Sequence, residues 1–104
     1  MSLLLNPQKA AGGGRKTVAS AGTAEALTAT NTHTVTVSIT AETNNTGLVA
    51  VGDSAVVAAA GTQTNVYAIL NAGDTVSLDV PDSTLLFLDV TVSGDGVAFG
   101  YLVP

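Results

Sequence analysis

The sequence holds no cysteine and no tryptophan, only three basic side chains, and only two Tyr and two Phe among 104 residues. Without cysteine there is neither a disulfide framework nor a thiolate metal site, and both reducing and oxidising compartments tolerate such a chain. Charged residues make up 11% of the chain, less than half of the roughly 25% usual in soluble domains. Long apolar runs are missing too. The longest is the stretch Ala55 to Ala60, far short of the roughly 18 residues that span a bilayer as a helix. The run Leu3-Leu4-Leu5 has no basic residue before it and falls short of the roughly 7–15 apolar residues of a signal-peptide core. The sequence therefore predicts neither a membrane-spanning segment nor a secretory leader. In place of the missing charges stand Thr, Val, Ala and 11 Gly, the composition of a β-protein. The length fits one domain with one modest core.

The few charges are distributed unevenly. Lys9, Arg15 and Lys16 are the only basic side chains, and all eight acids (Glu25, Glu42, Asp53, Asp74, Asp79, Asp82, Asp89, Asp95) lie in residues 17–104. The body thus carries −8 and the first 16 residues +3. An anionic body repels phosphate backbones, so nucleic acid is not an expected partner. The body, taken by itself, has no Lys or Arg with which to form ion pairs. Its charge either serves solubility alone, or the basic segment reaches an acidic or apolar surface on a partner.

Residues 1–16 run through Leu3-Leu4-Leu5, Pro7 and Gly12-Gly13-Gly14 with no sustained period, which reads as a flexible N-terminal arm. It is either an unstructured terminus or, since three exposed leucines cost solubility, a segment that docks on a neighbouring subunit. From Thr17 onward the period is 2 and the punctuation is Gly, Asn and Asp, the pattern of one β-domain over 17–104. Val35, Val37 and Ile39 alternate with Thr34, Thr36, Ser38 and Thr40, one buried face and one wet face. Asn45 or Gly47 is expected to turn this strand into a hairpin with Leu48–Val51. Gly52-Asp53-Ser54 reads as a further turn and Ala55–Ala60 as a short strand. Strands at Thr64–Leu70, Thr75–Val80, Leu85–Val92 and Val97–Val103 follow, separated by Asn71-Ala72-Gly73-Asp74, Pro81-Asp82 and Ser93-Gly94-Asp95-Gly96. Short turns and no crossover helices predict an all-β antiparallel β-sandwich or jelly-roll-like barrel of about eight short strands, with an extended N-terminal arm.

Catalytic patterns are sparse. His33 is the only imidazole; it falls in phase with Val35 and Val37 and reads as a strand-end side chain, with no serine elbow to serve. Asp79 and Asp89 lie on strands and Asp53, Asp74, Asp82 and Asp95 at turns, where carboxylates solvate a surface or fix turn geometry. A calcium site would need several of these loops to converge. Gly14-Arg15-Lys16-Thr17 lacks the spacing and the preceding strand of a phosphate loop. No catalytic residue, cofactor or metal ligand is therefore expected. Phe87 lies out of phase with Leu86 and Leu88, so it either packs on a second buried face or forms an apolar contact with another subunit. The candidate partner contacts are Leu3, Leu4, Leu5, Lys9, Arg15, Lys16 and Phe87.

The order Asn45-Thr46-Gly47, Val49-x-Val51-Gly52-Asp53-Ser54, Gly73-Asp74 with Val76-x-Leu78-x-Val80, Leu88-x-Val90 and Gly94-Asp95-Gly96-Val97 resembles small β-sandwich structural proteins of tailed bacteriophages, most of all head decoration (cement) proteins. The resemblance spans about residues 17–104. It implies a non-enzymatic virion protein, a homo-oligomer with trimer favoured, made in the host cytoplasm and seated on the capsid surface. It also implies contact with the major capsid protein or another virion protein, terminal arms gripping adjacent subunits, and neither nucleic acid nor membrane as partner. The alternative from another class is a carbohydrate-binding or adhesion module of a phage tail or fibre, its loop Asp and Asn residues meeting sugar hydroxyls.

Overall fold

The computed structural model describes residues 9–31 and 33–103. Eight strands follow one another: β1 (Lys9–Thr17), β2 (Glu25–Ala26), β3 (His33–Ala41), β4 (Val49–Val57), β5 (Thr64–Leu70), β6 (Thr75–Asp82), β7 (Phe87–Val90) and β8 (Gly96–Val103), with one 3-10 turn at Ser83–Leu85. They form two four-stranded sheets in the orders β1-β8-β3-β6 (sheet A) and β2-β7-β4-β5 (sheet B). Every neighbouring pair is antiparallel. This order is that of the jelly roll, in which a long folded-over hairpin splits its strands between two sheets.

The alternating residues of both sheets meet between them. Val37 and Ile39 from β3, Val97 and Tyr101 from β8, Val49 and Val51 from β4, and Leu88 and Val90 from β7 are buried there. Leu78 and Val80 of β6 are partly buried against the same core. The 3-10 turn is started by Asp82, whose carboxylate accepts the Thr84 amide at 2.8 Å, the usual role of an Asp cap.

The chain after β3 does not turn back as a hairpin, contrary to the expectation from Asn45 and Gly47. Both edges of β3 are taken, by β6 on one side and β8 on the other, so the chain crosses to sheet B. Asn45 anchors that crossing: its side chain donates to the Gly96 carbonyl at 2.8 Å and accepts the Gly96 amide at 3.0 Å. Gly47 lies so close to β7's end that a Cβ there would fall 2.2 Å from Thr91 Oγ1. Gly52-Asp53-Ser54 is likewise not a turn but part of β4, at a shift in its register with β5. Ala55–Ala60 is not a separate strand. Its first half completes β4, and Val56 and Ala58 are buried against Ala50, which lies on the outer face of sheet B, opposite in phase to Val49 and Val51.

The second half of the segment read as a flexible arm is part of the sheet. Residues 9–17 form β1 and pair along β8 from Lys9 opposite Val103 to Thr17 opposite Gly96. The three glycines mark the fit rather than a joint. Gly12 sits at a register shift with φ +139°, a Cβ on Gly13 would come within 2.4 Å of the Phe99 carbonyl oxygen, and one on Gly14 would touch the Phe99 ring at 3.3 Å. Only glycine lets the chain lie this close to the Phe99–Tyr101 pair, whose rings meet edge-on at 5.6 Å.

Candidate functional site

The carboxylates of the body hold loops. Asp89 lies between Leu88 and Val90 on the outer face of sheet B, where the alternation expects a solvated side chain, yet it is 1% exposed. One oxygen accepts the Gly22 amide and the other the Ala58 amide, each at 2.9 Å. It thereby ties two loops, one before β2 and one after β4, over that face. A buried carboxylate is stable only with such partners. Asp95 repeats the device at the other end, accepting the amides of Thr46 and Gly47. Asp74 accepts the Asn71 amide within its own turn. Asp53 accepts the Asn65 side chain at 3.0 Å and the Ala55 amide, and the Asn65 bond, followed by the Ala55 one, lowers its pKa. Asp79 accepts the hydroxyl of Thr36 across the strands.

The basic candidates are tied to the same body. Arg15 pairs with Glu42, and Lys16 with Glu25 at 2.8 Å. The other oxygen of Glu25 accepts the Ala19 amide at 2.8 Å. The Lys16 bond, then the Ala19 bond, hold the Glu25 carboxyl below its ordinary value. These pairs join β1 to the body, the cations coming from residues 15 and 16 and the carboxylates from residues 17–104. Lys9 is exposed at the start of β1. Leu3, Leu4 and Leu5 lie outside the described residues. Phe87 is not a freely exposed contact. It packs against the small cluster of Ala50, Val56 and Ala58, because the chain after β4 covers the face it points to. His33 pairs through its backbone with Asp82; its side chain lies outside the described part. Among the described residues, no three His, Cys, Asp or Glu side chains gather into a group able to hold a metal ion.

One surface feature escaped the sequence reading. β6 and β5 are edge strands, one in each sheet, and where they flank the sandwich a depression of about 450 Å³ opens onto the core. Tyr67, Leu78, Asp79, Val80, Pro81, Leu85 and Leu86 line it. Tyr67 and Leu85 are 57% and 52% exposed, so an apolar rim stands in water beside core residues. The visible signals are Tyr67, a large side chain at an exposed position of an edge strand, and Leu85, placed outward by the turn that Asp82 caps. The depression presents apolar side chains and the single carboxylate of Asp79 to solvent.

No protein-family model, curated protein or solved structure matches the chain. No helix among the described residues is long and apolar enough to cross a membrane.

Proposed function

We propose that the protein is a non-enzymatic structural component of a bacteriophage virion, a decoration (cement) protein that binds and stabilises the head lattice. The observation that carries the reading is the strand order β1-β8-β3-β6 over β2-β7-β4-β5, an architecture used by viral capsid domains. Two features agree with it. Asp89 on β7 and the turn residues Asp74 and Asp95 accept backbone amides of the loops, which ties those loops to the sandwich. The outer face of sheet A carries short hydroxyl side chains, Thr36, Ser38 and Thr40 beside Thr75 and Ser77, which lose little side-chain entropy when covered. In this reading the protein is a homo-oligomer, with trimer favoured, made in the host cytoplasm and seated on the major capsid protein at the virion surface. The β-domain supplies the seat, and the N-terminal segment reaches an adjacent subunit.

Heating empty head shells with and without the purified chain tests the role. Added protein is expected to raise the rupture temperature of the shells in a saturable way; unchanged rupture at full occupancy would remove the cement function. The rival is an adhesion module. Jelly rolls also serve as lectins, and exposed Tyr67 beside Asp79 offers a ring and a carboxylate to a sugar. Micromolar binding on a glycan array, lost in Tyr67→Ala, would favour that rival.

A further inference from the structure

We propose that β1 is an exchangeable strand: it opens from β8 while the rest of the sandwich stays folded, and the β1 of a second copy takes its place. The exchange deepens the decoration reading, on which its use in a shell rests, by giving the N-terminal segment a seat on an adjacent copy.

β1 is a long strand with little hold on the core. Eight of its nine residues are exposed and Lys16 is half-buried; none of the nine belongs to either buried cluster. Its positions opposite the core-facing Phe99 and Tyr101 are Gly14 and Gly12, which have no side chain to bury. What holds it is the backbone ladder with β8 and the pairs Arg15–Glu42 and Lys16–Glu25, both within reach of water. Elements held in this way open at lower free energy than the body they lie on. The firm structure begins at the next residue. Val18 is fully buried, its amide donates to the Asp95 carbonyl at 3.0 Å, and its carbonyl accepts the Gly94 amide at 2.9 Å. Opening therefore stops at Thr17, while β8 stays paired with β3 along its other edge.

The structure also shows what fits the vacated edge. Opening bares the backbone of β8 and the sides of the Phe99 and Tyr101 rings that Gly14 and Gly12 approach, and a bare edge templates a new strand. A strand with ordinary side chains does not fit there. A Cβ at the position of Gly13 would fall 2.4 Å from the Phe99 carbonyl oxygen and 3.1 Å from the Gly100 Cα, and Gly12 takes a φ of +139° that other residues rarely adopt. Gly12-Gly13-Gly14 is the one run of three glycines in the sequence. Among segments of this chain, β1 is thus the matching occupant. The β1 of a second copy makes the same contacts as the chain's own, the condition under which an identical element exchanges between copies at low cost.

Hydrogen exchange on the full chain reads the opening. Successive amides of β8 point alternately to β1 and to β3, so one strand reports both edges. Amides on the β1 side are expected to exchange about a hundredfold or more faster than those on the β3 side; equal protection would overturn the proposal. The absence of cysteine makes the exchange itself measurable by disulfide trapping, since Arg15 and Ala98 lie opposite each other and are both exposed. Arg15→Cys protein, the donor, is mixed with Ala98→Cys protein, the acceptor, under mild oxidation, with Arg15→Cys plus Thr62→Cys as the exposed-site control. A mixed covalent dimer is expected in about tenfold or greater excess over the control pair, because seating the strand raises the local thiol concentration. Gly13→Val separates a seated strand from a chance contact. Added to the donor it should remove the excess, because that β1 no longer fits; added to the acceptor it should raise the excess, because the acceptor's own β1 no longer competes. Equal trapping in the two pairs, or the same effect of Gly13→Val in both chains, would overturn the proposal. Shell uptake by the natural chain is scored separately, so failed trapping with intact uptake removes the exchange and leaves the decoration role standing.

Discussion

The two outer faces of the sandwich solve the same problem in opposite ways. On sheet A, β3 and β6 alternate apolar and hydroxyl residues, and polar side chains bond across them: Thr36 to Asp79, and Thr40 to Thr75 at 2.8 Å. Thr75, Ser77, Asp79 and Ala98 stay exposed. On sheet B the corresponding positions carry Ala50, Ile69, Phe87 and Asp89, and the chain folds back over them to bury a second small cluster. Alternation alone does not make a wet face. The face is wet where its residues can satisfy one another in water, and closed where small apolar side chains invite a cover and a buried carboxylate supplies acceptors for the cover's amides.

The comparison breaks most visibly at Asp89. Replacing it with Ala leaves the Gly22 and Ala58 amides without acceptors under cover, and should cost about 2–4 kcal/mol in denaturant unfolding; a loss below about 1 kcal/mol would mean that the loops close without it. Phe87→Ala comes next. The half-buried ring should cost about 2 kcal/mol, less than a fully buried Phe, and a neutral result would show that sheet B's outer face is as open as sheet A's. Glu25→Gln sharpens the account at the junction of β1 with the body. Glu25 titrates below its ordinary value when folded, so its contribution is present above that value and is lost as pH falls through the folded pKa. The variant should therefore show a smaller fall in Tm than the natural chain between about pH 5 and pH 3, and a fall of equal size would contradict the Lys16 contact. Thr40→Ala on the open face is expected to change stability least, within about 0.5 kcal/mol; a cost like that of Asp89→Ala would erase the distinction between the faces.

Much of this fold is legible in the residues. The alternation of Val37 and Ile39, and of Leu88 and Val90, gives the buried side of β3 and β7 correctly, and turn residues separate most of the strands. Pairing partners are another matter. Asn45 and Gly47 announce a reversal of the chain, but not that β3 is already flanked by β6 and β8, which sends the chain to the other sheet. The glycines of β1 have no side chains to show a pattern, and their role appears only when the ring of Phe99 lies beside them. Asp89 is in the right phase for an outward residue; that the outward face is itself covered depends on contacts across 67 residues to Gly22 and 31 to Ala58. The groove is invisible in sequence for the same reason, since β5 and β6 adjoin only as edges of different sheets.

The proposed decoration role requires the sandwich to sit on a repeating shell. Titrating empty head shells with the full chain and measuring the bound protein after sedimentation tests it most directly. The account predicts saturation at a fixed number of chains per lattice unit. No uptake, or uptake that rises linearly without a plateau, would contradict it.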